Sequence, residues 1–425
     1  MLTETQTLYN SRLVGIAEEL DISPSKYQQA VDRYEAVGDW LDRQESPLRL
    51  YRPRIHPQGS FRLGTVVRPV KACKEADYDI DLVCQLDIAK DSDQSPTQTL
   101  PRRTARELKH LVGDRLKENG TYQKMLDEEG KRCWTLQYSE QDGVGFHMDI
   151  LPSAPEEEAI VESLEANGVS SNFAYSAIGI TNRDKNAGQY LWLSSNPEGY
   201  ARWFDDRVAL IPTNLMITAK QMLFESNRML YASVDHVPDR LVRTPLQRAI
   251  QILKRHRDVR FVGARDENNK PISMIITTLA ALLYEGETDL YTALVNIVSK
   301  LSMHAGLVEN RHFTIPDSAL ANRRLIQRVD GRWYIGNPVN PLENFADRWH
   351  ENDHAKAKAF FKWVAQVGSD LIDILQQRSA GEAISSVSGL LLLSSTRPAT
   401  VKAIPRDTSG YPRVTISNPN RPWSN

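Results

Sequence analysis

The chain has 425 residues, of which 41% are hydrophobic and 25% charged, and its 52 basic against 54 acidic side chains leave a formal net charge of −2. That balance is typical of a soluble globular protein of about two domains. It excludes a chain-wide basic surface, so no stable nucleic-acid binding is expected. The three cysteines, Cys73, Cys84 and Cys133, have neither disulfide nor zinc spacing and read as reduced thiols.

In chain order, Leu13, Ile16 and Leu20 have helical spacing and predict an opening helix, followed by a second over roughly 24–44. An extended run leads into Gly59-Ser60, where Ser60 is placed to open a short helix. Strands are expected over 66–70 and 79–86, helix over 101–130, and a strand pair over 134–138 and 145–151, joined by turn residues 140–143. The stretch 153–200, rich in Asn, Ser and Gly, reads as irregular. Beyond 212 the pattern turns helical, at 245–256, 272–284, 290–301 and 356–378, with a two-proline loop at 336–341. The C-terminal stretch is proline-rich, partly basic and nearly free of acid, which predicts a flexible or docking tail. The expected organisation is a mixed lobe with its N-terminal helix over 1–210, a helical lobe over 211–388 and the tail over 389–425. The first residues do not form a signal peptide, and the apolar stretches at 274–284 and 390–393 are too short to span a bilayer. A cytoplasmic protein with no membrane partner is expected.

Chemistry concentrates on three carboxylates. Asp79 and Asp81 lie two apart in a strand-like run, so both point to one face. Like charges so placed repel unless a cation or proton neutralises them. Asp149 lies in a second strand-like run, Phe146-His147-Met148-Asp149-Ile150-Leu151. Three such groups suit hard divalent ions that share oxygen ligands with substrate phosphates. Taken singly, the aspartates also read as exposed strand residues or a loop anchor. Gly59-Ser60 upstream offers a close backbone approach and N–H donors to a phosphate, or simply a helix cap. Lys254 follows a helix with a buried side, where a solvated helix end is the plain reading. His147 shares the face of Asp149 and borders it as a packing or hydrogen-bonding residue; neither it nor His56 receives a role.

The order Gly-Ser, Asp-x-Asp, distal Asp resembles the DNA polymerase beta-type nucleotidyltransferases. Longer strings narrow the likeness. Gln58-Gly59-Ser60-Phe61-Arg62-Leu63-Gly64-Thr65, Asp77-Tyr78-Asp79-Ile80-Asp81-Leu82, Ser195-Asn196-Pro197-x-Gly199-Tyr200-x-x-Trp203-Phe204 and Leu253-Lys254-Arg255-His256-Arg257-Asp258 resemble the CD-NTases of CBASS antiphage systems, bacterial relatives of cyclic GMP–AMP synthase. Asn337-Pro338-Val339-Asn340-Pro341-Leu342-Glu343-Asn344-Phe345-Ala346 resembles a loop of the oligoadenylate synthase group. The likeness spans roughly residues 10–385.

This resemblance implies an α+β fold: a polymerase beta-like core of mixed sheet flanked by helices, plus a helical oligoadenylate synthase-like C-terminal lobe. It implies a cyclic oligonucleotide synthase that joins purine triphosphates, ATP with ATP or GTP, into a cyclic di- or trinucleotide second messenger. Asp79, Asp81 and Asp149 would be catalytic and hold two Mg²⁺ ions, with Mn²⁺ as a substitute. Gln58, Gly59, Ser60, Lys254 and Ser273 would bind nucleotide, Ser273 being equally explained as a helix cap. Tyr200, Trp203 and Phe204 are expected to pack between lobes. The implied partners are nucleoside triphosphates and a downstream cyclic-nucleotide-activated effector. A ubiquitin-like conjugation partner at the C-terminus is a further reading, although the last residues lack the glycine or alanine that such conjugation favours. No Cys/His cluster matches the zinc insertion of the animal enzyme, and no basic stripe matches double-stranded RNA binding. A linear nucleotidyltransferase acting on RNA or protein, and an inactive nucleotide-binding scaffold, are the alternatives.

Overall fold

Helix α1 (Glu4–Glu19) opens on a capping box in which Thr3 and Gln6 satisfy each other's backbone N–H, and it buries Tyr9, Leu13, Ile16 and Ala17. The computed structural model to which it belongs describes residues 2–392, except 68–69, 72–73, 76, 94–98, 142–143, 185–186, 230, 232 and 310–324. Cys73 and nearly all of the expected tail lie outside the described residues. Helix α2 (Pro24–Leu41) follows, with Ser23 as N-cap and proline in its first turn.

Six strands form the central sheet: β1 (Arg54–Gln58), β2 (Tyr78–Gln85), β3 (Trp134–Gln141), β4 (Val144–Pro155), β5 (Ile178–Asp184) and β6 (Gln189–Ser195). The order is β1-β2-β4-β5-β6, with β3 also paired to the long β4. Strands β2 and β4 run parallel; the other pairs are antiparallel. Alternation sorts the side chains. Tyr78, Ile80 and Leu82, with Phe146, Met148 and Ile150, form a core with Leu108, Val112 and Leu116 of helix α4 (Ala105–Lys117). The opposite face carries the aspartates. Helix α3 (Gly59–Leu63) leaves the end of β1.

A second core joins helices α5 (Pro197–Val208), α7 (Pro245–Phe261), α8 (Ser273–Leu283), α9 (Leu290–Ser302), α10 (Glu351–Val367) and α11 (Ala380–Leu391). Between α5 and α7 runs α6 (Thr213–Ser226), which buries none of its residues. Helix α1 belongs to this helical core: Tyr9 is fully buried and its hydroxyl donates to the Leu371 carbonyl at 3.0 Å. Within this core α5 is tied to α8. The Tyr200 hydroxyl lies 2.8 Å from Thr278 Oγ1, and Arg207 Nε donates to the Ala281 carbonyl at 2.8 Å. Tyr200 and Phe204 are buried in the same core, with Trp203 packed on it.

The architecture is α+β, a mixed sheet flanked by helices beside a helical lobe. Four local expectations change. The stretch 153–200 holds β5 and β6 and two short helices, Glu158–Ala166 and Ser171–Ala174. Its polar strands looked like loop because pairing, not composition, satisfies their backbone. Val66 and Val67 lie outside any strand, and the short ribbon there pairs Val70–Lys71 with Lys74–Glu75. The two-proline loop is a small ribbon, Gly336–Asn337 against Asn340–Asn344. The helix expected over 356–378 is interrupted by wider π-type turns over Gly368–Asp373, between Glu351–Val367 and a last α-helical turn at Ile374–Gln377. Among the described residues no helix is long and apolar enough to cross a membrane.

Candidate active site

Strand register assembles the site. Antiparallel pairing sets Gln58 opposite Asp81, so the chain leaves β1 into Gly59-Ser60 directly beside that carboxylate. Gly59 has φ +62°, and a Cβ there would stand 2.3 Å from Asp81 Oδ2. A left-handed conformation and a carboxylate against the backbone both require glycine. Gln58 is buried, and its Oε1 has no hydrogen-bond partner among the described residues. It lines a small cavity with Gly59, Asn196, Tyr200, Met274 and Asn337, so both lobes border the turn.

Parallel pairing then sets Asp149 of β4 opposite Asp81 of β2. Period two brings Asp79 to the same face. Thr135 of β3 is the register partner of Asp149 on the other side, and its hydroxyl donates to Asp149 Oδ1 at 2.5 Å. Burial, with the charges of Asp149 and Asp81 behind it, pushes the neighbouring Cys133 thiol well above its ordinary range. The fields of two carboxylates thus converge at this point. On the same face His147 Nε2 lies 3.3 Å from Asp77 Oδ2, and its Nδ1 3.9 Å from Asp79 Oδ1.

Helix α7 approaches from the helical lobe. Residues at i, i+4 and i+7 share one face. Gln247 Nε2 donates to the Leu63 carbonyl at 2.9 Å, and Gln251 Nε2 to the Val66 carbonyl at 2.9 Å. Lys254 Nζ donates to the Thr65 carbonyl at 3.3 Å and to Thr65 Oγ1 at 3.0 Å. Three side chains therefore grip the backbone just after the Gly-Ser turn. Lys254 is not at a solvated helix end; it is buried. Burial, aided by Arg257, pulls its pKa down to about 7, against the pull of Asp258 and Asp81. Arg257, one turn on, donates to Ser273 Oγ at 3.0 Å and to the Pro271 carbonyl at 3.0 Å. Ser273 is the first residue of α8, and the N-cap is Ile272, so the capping explanation of Ser273 does not hold. Its hydroxyl reaches the site by way of Arg257.

The structure thus brings Gln58, Gly59, Asp79, Asp81, Asp149 and Lys254 to one region, with Ser60 in the first turn of α3 and Ser273 behind Arg257. Sequence reading missed Thr135, Cys133, Gln247 and Gln251. Thr135 was discoverable only from register, whereas the i, i+4, i+7 spacing of Gln247, Gln251 and Lys254 stood in the sequence. Among the described residues no three His, Cys, Asp or Glu side chains close into a ready metal cage. An all-oxygen set with one carboxylate oxygen fixed by Thr135 nonetheless suits a magnesium-like ion, which keeps substrate phosphates as its remaining ligands. Arg132, the sequence neighbour of Cys133, stands on the wall of a cleft of about 540 Å³ that also has Ile180, Leu193, Ile272 and Glu343 on its walls and is lined by none of the three aspartates. That volume accommodates a nucleotide-sized ligand.

The chain resembles known proteins in sequence and in fold. Residues 53–152 match the family model of the nucleotidyltransferase domain of cyclic GMP-AMP synthase DncV-like proteins. The chain is 27% identical over 391 residues to a c-di-GMP synthase of Roseivirga ehrenbergii, an alignment covering 91% of this chain and 85% of that protein. It is 24% identical over 351 residues to the cyclic dinucleotide synthase CdnG of Bradyrhizobium diazoefficiens, covering 80% and 70% respectively. The solved structure of the CD-NTase CdnG from the same organism, in complex with GTP, superposes with a TM-score of 0.59 at 19% identity, covering 89% of this chain and 98% of that one, a likeness of fold.

Proposed function

We propose that the chain acts as a CD-NTase, a reading supported by its DncV-like nucleotidyltransferase domain and its cyclic dinucleotide synthase relatives, and that it joins purine nucleoside triphosphates into a cyclic di- or trinucleotide. The observation that carries the reading is the register of Asp81 with Asp149, with the backbone of Gly59 packed on the Asp81 carboxylate. The turn at Gly59-Ser60 and the ammonium of Lys254 bind the β- and γ-phosphates of the donor. Gln58 and Ser273, the latter with Arg257, border the same nucleotide. Asp79, Asp81 and Asp149 are the groups that would hold two Mg²⁺ ions, whose chemistry when bound would be to acidify the acceptor hydroxyl and neutralise charge at the α-phosphate and departing pyrophosphate. The acceptor ribose oxygen attacks the α-phosphorus, the bond to pyrophosphate breaks, and the hydroxyl proton is lost. Thr135 fixes one oxygen of Asp149, and the grip of α7 on residues 63–66 keeps the phosphate-binding turn against the carboxylates. Repetition within one cleft, ending in ring closure, releases the messenger. The family likeness supports a role in antiphage defence, with a cyclic-nucleotide-activated effector downstream.

The test is to incubate the pure protein with all four nucleoside triphosphates and Mg²⁺ or Mn²⁺ and identify products by mass spectrometry. Pyrophosphate and a phosphatase-resistant cyclic purine product are expected. Transfer only to an added RNA or protein would assign the linear chemistry. No pyrophosphate at all would leave a nucleotide-binding scaffold.

A further inference from the structure

Beside the start of α7 lies an opening lined by none of the residues that the nucleotidyl-transfer reading uses. It has a volume of about 410 Å³ and is walled by α1, α6 and the stretch from Leu241 to Arg248. Its apolar lining includes Val14, Ile211, Leu215, Met216, Met222 and Leu241, and its charged lining is Arg243 and Arg248 with Glu18 and Asp289, the last engaged as the N-cap of α9. Helix α6 forms one wall and buries none of its residues, leaving Leu215 at 38% and Met222 at 62% exposure. Methionine-rich walls of this sort repack around varied apolar ligands.

One cation stands in that lining without its complement. The Arg243 side chain is only 2% exposed, yet its nearest carboxylate oxygen, Asp21 Oδ1, lies 3.7 Å away, beyond hydrogen-bond distance. Asp21 is engaged elsewhere: it accepts from Arg248 Nη1 at 2.6 Å and from Gln251 Nε2 at 2.7 Å. Arg243 Nε and Nη1 have no hydrogen-bond partner among the described residues. Burial, aided by Arg248, pulls the guanidinium pKa down to about 10, with Asp21 and Tyr27 opposing. A buried donor left unpaired is costly, and a buried charged donor more so. An anionic group brought into the cavity removes that cost.

We propose that this cavity binds a small amphipathic anion, its single carboxylate or phosphate on Arg243 and its apolar body along α6. A volume of this size suits a ligand of drug-like dimensions. The site is coupled to the catalytic helix by covalent neighbourhood: Arg243 precedes Thr244, the N-cap of α7, whose Gln247, Gln251 and Lys254 grip residues 63–66. Filling it braces the start of the helix that carries Lys254.

The test uses the full chain and needs no turnover, so it stands apart from the nucleotidyl-transfer assignment. Decanoate, decyl phosphate, decanol and decylamine, each below its micelle concentration, are titrated against the protein by calorimetry. Saturable one-to-one binding of decanoate or decyl phosphate, at least about tenfold tighter than decanol, is expected, and which of the two binds better identifies the headgroup. Arg243→Met should remove that preference while circular dichroism stays native. Should that variant not fold, Ala219→Trp, which fills the cavity from α6, should abolish binding of both anions. Equal affinity for decanol, tighter binding of decylamine, unchanged binding in Arg243→Met or Ala219→Trp, or no saturation up to about 1 mM would overturn the proposal.

Discussion

Single atoms decide most of what the carboxylate site can do. Gly59 combines φ +62° with a carboxylate oxygen 2.3 Å from where a Cβ would sit, so Gly59→Ala must move either the turn or Asp81. The expected result is a stability loss of about 1–3 kcal/mol in denaturant titration, together with loss of pyrophosphate release. Asp79→Ala and Asp81→Ala should each abolish pyrophosphate release; turnover within about tenfold of the unaltered protein would refute the metal assignment. Thr135→Val removes the 2.5 Å hydrogen bond to Asp149 while keeping the strand shape, and should cost about 10–100-fold in activity, measured as a rise in the Mg²⁺ concentration needed for half-maximal rate. Lys254 yields a pH prediction. Its folded pKa of about 7 lies below its ordinary value of 10.5, so the unfolded chain holds the proton more tightly. The resulting destabilisation is complete below pH 7 and fades as pH rises toward 10.5. Without nucleotide, Lys254→Met should therefore melt above the unaltered protein by a margin that is largest near pH 6 and smaller at pH 9; a margin independent of pH would contradict the buried ammonium.

Secondary-structure elements convert those atoms into a site. Strands β2 and β4 are parallel, so an entire crossover separates Asp81 from Asp149, and only their register makes them neighbours. Helix α7 acts as a rail. Its Thr244–Gln247 capping box fixes where the helix starts, and thereby which residues fall on the Gln247, Gln251 and Lys254 face. Gln251 is buried and answers both the Val66 carbonyl and Asp21. Gln251→Leu leaves that carbonyl unpaired and should cost about 1–3 kcal/mol in stability. It should also raise the KM for nucleotide more than it lowers kcat, because the turn it steadies is the one proposed to bind phosphate. An unchanged KM would mean that the grip is purely structural.

At the scale of the whole molecule, the described residues form two main cores, with α1 belonging to the second, and a smaller cluster of Val83, Leu151, Ile178 and Ile180. Gln251 Nε2 donating to the Val66 carbonyl at 2.9 Å and Asn340 Nδ2 donating to Ser194 Oγ at 3.0 Å tie the helical part to the part built on the sheet. Much of this was legible in advance. Alternation in 78–85, with aspartates on one face and Tyr78, Ile80 and Leu82 on the other, named both the strand and its active face. The helices over 245–256, 272–284 and 290–301 followed from apolar spacing and match α7, α8 and α9 to within a few residues. Strands β5 and β6 were not legible, because the Asn, Asp and Ser residues in them carry loop composition and their strand state comes from pairing with each other and with the end of β4.

The sequence alone therefore determined the chemical inventory and its order: a glycine-serine turn, a same-face aspartate pair, a distal aspartate and a lysine on a helix. Local periodicity and residue chemistry are properties of short segments, so they survive reading in one dimension. Tertiary structure decided the rest: that Thr135 touches Asp149, that Lys254 is buried, that α1 joins the helical lobe, and that Arg243 stands without a complement. Each of these depends on which distant backbones pair and how closely they pack, and no local pattern encodes that.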